Sequence, residues 1–218
     1  MRAGVKAASL AGAVAILIGG GALLLERPIR AADHLDPPER TNIGTMSDTA
    51  ADIADIFTWH TDSTVTIVMT FAGPKEQGVG PTYDSNVLYQ LHLSNDGDVS
   101  TDEATINMRF GRDPNGNWGI QFVGIPGSTG AIQGAVQTQL SQGTINAEAG
   151  LFDDPFFFDL QGFNDTKASG TLSIMNTRNF FAGKNDTAVV MEFPRSAIAN
   201  GTHPITVWGE TRRIGAGS

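Results

Sequence analysis

The sequence predicts an all-β protein, an antiparallel β-sandwich of jelly-roll or immunoglobulin-like type with long loops and one or two short helices. Three observations carry that reading. Runs of β-branched and aromatic residues recur along the chain, turn signals built from Gly, Asn and Asp separate them, and no internal repeat, charge run or linker divides them into separate domains.

The elements follow in order. Ile53, Phe57 and Trp59 mark one apolar stretch and Val65 to Met69 a second. The polar tetrad Thr61-Asp62-Ser63-Thr64 between them predicts a hairpin. From Asn86 to Leu93 the residues Val87, Tyr89, Leu91 and Leu93 share one face of a strand. Asn95-Asp96-Gly97-Asp98 turns the chain into a return strand over Thr105 to Phe110. Asp113-Pro114-Asn115-Gly116 turns it again before Trp118 to Val123. Thr187 to Phe193 and Ile205 to Thr211 are further strands, with one short helical turn predicted between Arg195 and Asn200. Between Gly124 and Gly150 the pattern weakens. Ile132, Val136 and Leu140 fit a helical stripe, while five glycines among residues 124–143 oppose it, so a long excursion with one ill-defined element is expected. Trp59, Trp118 and Trp208 all fall on strands and are expected in the core.

The first 32 residues stand apart. Arg2 and Lys6 form a positive start, residues 7–25 are uncharged and rich in Ala, Leu, Ile and Gly, and Ala31 and Ala32 precede a polar change at Asp33. That order is an export signal. An uncleaved inner-membrane anchor is the competing reading, because the apolar run approaches the roughly 20 residues that span a bilayer. Both readings put residues 33–218, a single β-rich domain, in the periplasm or outside a bacterial cell. Membrane contact is expected only through residues 7–25, if they are retained.

Charge sharpens once the leader is set aside. It carries four of the 14 basic residues and one of the 23 acidic ones, so residues 33–218 hold 10 against 22, a net charge of -12. Nucleic acid, which needs a basic footprint, is excluded as a partner. The absence of cysteine excludes disulfides, thiolate metal sites and cysteine nucleophiles.

The acids are clustered. Asp33-His34-Leu35-Asp36 opens the exported region, Asp48, Asp52 and Asp55 lie within eight residues, and Asp153-Asp154-Pro155-Phe156-Phe157-Phe158-Asp159 surrounds three consecutive phenylalanines. Three phenylalanines in a row are expected to be packed away from water, which draws their aspartates toward buried structure. Buried carboxylates need backbone donors, a basic partner such as Arg178, Lys184 or His34, or a cation. Asp36, Asp52, Asp55 and Asp154, with His34 beside them, are therefore the candidate metal ligands. Oxygen-rich ligands favour Ca²⁺. The same aspartates could instead cap turns and pair with Arg178.

The segments Asp33 to Pro37, Asp48 to Phe57, Ala149 to Asp159 and Phe181 to Asn185, with the turn Asp96-Gly97-Asp98 and Val207-Trp208, resemble a bacterial exported family catalogued as domain of unknown function 4331. The resemblance runs from Asp33 to about Arg212 and is most specific in the phenylalanine-rich segment. It implies export and a β-rich fold, and no activity.

Two function classes compete. One is a non-enzymatic exported β-sandwich, cation-stabilised, that binds a small molecule, a glycan or an envelope component. The other is a hydrolase of envelope polymers or glycans with His34 as general base beside Asp33 or Asp36. No G-x-S-x-G elbow, H-E-x-x-H helix or P-loop is present. Asp96-Gly97-Asp98 is a turn rather than an EF-hand, since His92 and Ser94 stand where that loop needs acids. The tripeptides Asn164-Asp165-Thr166, Asn185-Asp186-Thr187 and Asn200-Gly201-Thr202 carry no functional weight in a bacterial exported protein.

Overall fold

The computed structural model describes residues 42–43 and 46–215. Short strands β1 (Asn42–Ile43) and β2 (Met46–Ser47) form a two-stranded ribbon, and a 3-10 turn at Thr49–Ala51 leads into the body of the fold. Two five-stranded antiparallel sheets follow. The first has the order β3 (Ile53–His60), β4 (Thr64–Lys75), β11 (Asn185–Pro194), β10 (Ile145–Asp153), β9 (Leu140–Gln142). The second runs β12 (Thr206–Arg213), β5 (Val87–Ser94), β6 (Ala104–Arg112), β7 (Trp118–Val123), β8 (Ile132–Ala135). The predicted antiparallel sandwich is the observed architecture.

Period-two alternation explains how the sheets face each other. Val65, Ile67, Met69 and Phe71 of β4 and Val189, Met191 and Phe193 of β11 turn inward from one side. Val87, Tyr89, Leu91 and Leu93 of β5 with Ile106, Met108 and Phe110 of β6 meet them from the other, and all are buried in one continuous core. Each such fully buried large side chain contributes about 1.5–3 kcal/mol relative to exposure. Phe71 and Tyr89 join the two sheets with ring centroids 4.5 Å apart, and the buried Tyr89 hydroxyl donates to the Ala50 carbonyl. On β12, Gly209 permits a close approach of the sheets: a Cβ there would lie 2.6 Å from Ile56 Cδ1 and Met69 Cε.

The structure corrects three expectations. The glycine-rich segment after Gly124 holds no helix. β8 extends the second sheet beside β7, whereas β9 and β10 join the first, so this stretch crosses between the layers. Its glycines offer little helix propensity, while the open edges of both sheets offer ladder hydrogen bonds. The three phenylalanines are not all sheltered either. Phe156 and Phe158 are half-buried and Phe157 is 52% exposed, the alternation that an extended chain imposes on consecutive side chains. Trp59 is also exposed, on the edge strand β3.

One element, helix α1 (Leu160–Ser169), has no counterpart in the sequence reading. Asp159 caps its start by accepting from the Gly162 N–H, and Gly170, at φ 70°, ends it in the left-handed region. Gly162, Asn164 and Asp165 are poor helix formers, and only Gly162 of the helix is buried, so no apolar stripe announces it. The short turn expected after Arg195 is present as a 3-10 turn at Arg195–Ala197.

Candidate functional site

The acidic clusters separate in space according to the donors available to each. Asp48 is taken by Arg213, whose Nε donates to Oδ2 at 2.6 Å and whose second guanidinium nitrogen reaches Oδ1. Asp159 accepts from the Gly162 and Met175 N–H groups and from Arg178, each within 3.1 Å. Arg178 thus pairs with Asp159, which was not among the candidate ligands expected to take it. Lys184 is engaged by Glu76. Asp153 is exposed.

Asp52, Asp55 and Asp154 are all buried. Asp52 precedes β3, and its carbonyl accepts from the Ala72 N–H at 2.9 Å. The Asp55 N–H donates to Thr70 Oγ1 at 3.0 Å. Asp154 follows β10: its N–H donates to the Lys184 carbonyl, and its Oδ1 accepts from the Phe156 N–H, both at 2.9 Å. His34 and Asp36 lie outside the described residues.

A residue that the sequence reading passed over organises this region. Asp186, near the start of β11, is 1% exposed. Both strands that flank β4 lose register on either side of Phe71: β3 between Ile53 and Ile56, and β11 between Asn185 and Thr187. Such bulges re-aim side chains. The first sets Ala54 and Asp55 of β3 against Thr70; in the second the extra residues are Ala72, Gly73 and Pro74 of β4, which stand against Asp186 alone. Between them β4 is itself irregular, with Ala72 at φ 54°. Gly73 then supplies the space the carboxylate fills, since a Cβ there would lie 1.4 Å from Asp186 Oδ1. The available signal was an acid two residues before the apolar run Ala188 to Met191, opposite a Gly-Pro pair in the partner strand.

No N–H or hydroxyl donor among the described residues reaches either carboxylate oxygen of Asp186, nor Oδ2 of Asp154. The two carboxyls lie within hydrogen-bonding reach of each other, a bond that exists only when one of them is protonated. Burial first, then the charge of Asp154 and its shared hydrogen bond, then the charge of Asp55, push the Asp186 carboxyl up to about 7. The Lys75 ammonium opposes the shift. Lys75 does not bond to Asp186. Its Nζ donates to Gly80 O, Thr82 Oγ1 and Thr187 Oγ1 at 2.6–3.1 Å, and burial lowers its pKa against the opposing pull of Asp186.

The structure thus brings Asp55 and Asp154 to a common neighbour, Asp186, and places Asp52 just upstream. Among the described residues, no three His, Asp or Glu side chains converge as ligands of one ion. A shared proton or a hard cation would each relieve the uncompensated charge of the Asp154–Asp186 pair. His92, on the outer face of the second sheet, stands 3.2 Å from both Asp102 and Glu210 and stacks on Trp208. None of the described helices is long and apolar enough to cross a membrane. Comparison with known family models, curated proteins and solved structures yields no match.

Proposed function

We propose that this protein is an exported, non-enzymatic β-sandwich of the unknown-function 4331 family. In this reading it works in the periplasm or outside the cell as a binding or envelope module stabilised by Ca²⁺. The observation that carries the reading is the Asp186 carboxylate, buried without a donor and facing Asp154 beside Asp55. A divalent cation would convert that repulsion into coordination. Asp154 and Asp186 supply its first oxygens, Asp55 lends field, and Asp36 and His34 remain the sequence-derived members of the set. Backbone carbonyls and water complete the six to eight oxygens that calcium takes.

Thermal melts test this directly. Because a ligand that binds only the native state raises stability, millimolar calcium should raise the melting temperature and a chelator should reverse the rise. At a hundredfold excess over Kd the gain is about 2.7 kcal/mol. Asp186→Asn should abolish the calcium increment. An unchanged midpoint in calcium, or an increment that survives Asp186→Asn, removes the cation from the proposal.

A further inference from the structure

A groove of about 660 Å³ opens on the second sheet over β6, β7 and β8. Strand register sets its two rows. Arg109, Gln121 and Gln133 stand side by side across the three strands, all exposed. The next row is Gly111, Gly119 and Ala135, almost bare backbone. A side chain at Gly111 would meet nothing within 4 Å, so the floor there is open. Gly119 is held bare for another reason: a Cβ on it would lie 2.9 Å from the Gly134 carbonyl.

The first row is built from planar hydrogen-bonding groups. Gln121 Nε2 donates to Gln133 Oε1 at 2.7 Å, which orients both amides and leaves the Gln121 carbonyl and the Gln133 amino group to offer outward. Arg112 is fixed at one end of the groove, its guanidinium 4.1 Å over the Trp118 ring and its Nη1 donating to the Gly116 carbonyl. Asp113 also lines the groove, but its oxygens are spent on the Asn115 and Asn117 N–H groups and on Asn117 Nδ2, at 2.8–2.9 Å. Arg178, Arg212 and Arg213 each hold a carboxylate of this chain, whereas Arg109 and Arg112 hold none among the described residues. On a chain of net charge -9, two guanidinium groups left for an outside partner define an anion-seeking surface.

We infer that this groove binds a carboxylated glycan, a saccharide bearing uronate groups. Arg109 takes the carboxylate in a planar, bidentate pair. Gln121 and Gln133 supply one acceptor and one donor group for neighbouring ring hydroxyls. The sugar ring lies on the Gly111–Gly119–Ala135 floor, where no side chain obstructs it. An inorganic anion would use the guanidinium alone and leave the oriented amides and the bare floor without a role. The inference rests on the binding-module reading above and names its ligand class; it does not require the cation.

The test is calorimetric titration of the full chain with tetragalacturonate in chelator, with a neutral galactose tetramer as the control, followed by thermal melts of the same samples with calcium. Tetragalacturonate should bind, more weakly as salt rises, and the neutral tetramer should not. Arg109→Gln should weaken binding roughly tenfold or more, the scale of a lost charge-assisted pair. Gly111→Tyr should fill the floor and block binding while the melting temperature stays at the wild-type value. Failure to bind tetragalacturonate, equal binding of the neutral sugar, or full binding by Gly111→Tyr overturns the inference. A calcium shift without glycan binding sinks the groove alone; glycan binding without a calcium shift sinks the cation alone.

Discussion

Asp159 and Asp186 are 3% and 1% exposed, so burial pushes both carboxyls toward the neutral form, yet they titrate in opposite directions. At Asp159 the donors outweigh burial. The Gly162 and Met175 N–H groups and the Arg178 guanidinium bring its pKa below the ordinary carboxylate value. At Asp186 nothing offsets burial except the distant charge of Lys75, and two like charges add to it. The difference lies in backbone topology. A helix start presents N–H groups that have no partner within the helix, and Asp159 sits where it can use one. A sheet spends its N–H groups on the ladder, so an acid lodged opposite a bulge finds no donor. Burial raises the stakes for a carboxylate, and the local backbone decides the outcome.

The same isosteric change should therefore have opposite signs at the two positions. Asp159→Asn removes the charge that holds Arg178 and replaces one acceptor oxygen by an amide that confronts the Met175 N–H. It should give the larger effect, a marked fall in melting temperature read by thermal denaturation, while the remaining oxygen keeps the Gly162 cap and the amide protection of Leu160–Ser169. Asp186→Asn, in chelator at pH 8, should instead raise the melting temperature, because it removes a buried charge facing Asp154. For a chain of this size each kcal/mol recovered is roughly 2–4 °C. Destabilisation by Asp186→Asn under those conditions would mean that the carboxylate has a donor and would break the contrast.

How much of this was legible in the sequence follows the same division. Alternating apolar residues and Gly, Asn and Asp turns disclosed β3 to β7, β11 and β12, whereas β10, nine residues long, was hidden by its run of small residues Ala147, Ala149 and Gly150. β8 and β9 are too short to carry a period, and their placement depends on which sheet edge is open, a tertiary matter. At the candidate site, Asp52, Asp55 and Asp154 were visible as clustered acids beside apolar runs. Asp186 was not, since it stands alone in Asn185-Asp186-Thr187 and gains its meaning from Gly73, 113 positions away in sequence. Arg109, Gln121 and Gln133 were equally silent, because only strand register makes them neighbours.

The smallest expected effect is a pH slope, and it separates the two aspartates most cleanly. In the folded protein Asp186 titrates near 7, against an ordinary value of 3.8. Between those values the folded chain keeps a proton that the unfolded chain has released, so the unfolded state binds fewer protons and stability falls as pH rises, levelling above about 7. Asp159 has the opposite sign: its contribution is present above the ordinary value and is lost as pH falls through its lowered pKa, outside that window. The groups facing Asp186 are Asp154 from beyond β10, Asp55 from β3 and Lys75 from β4. In chelator, wild-type stability should therefore decline from pH 5 to pH 8 relative to Asp186→Asn, measured by denaturant titration at each pH. Parallel profiles for the two proteins would mean that Asp186 is already ionised at pH 5 and that its pairing with Asp154 is wrong. In calcium the cation takes the place of the proton, so the calcium increment should grow with pH through the same window and vanish toward pH 5, where the proton holds the site.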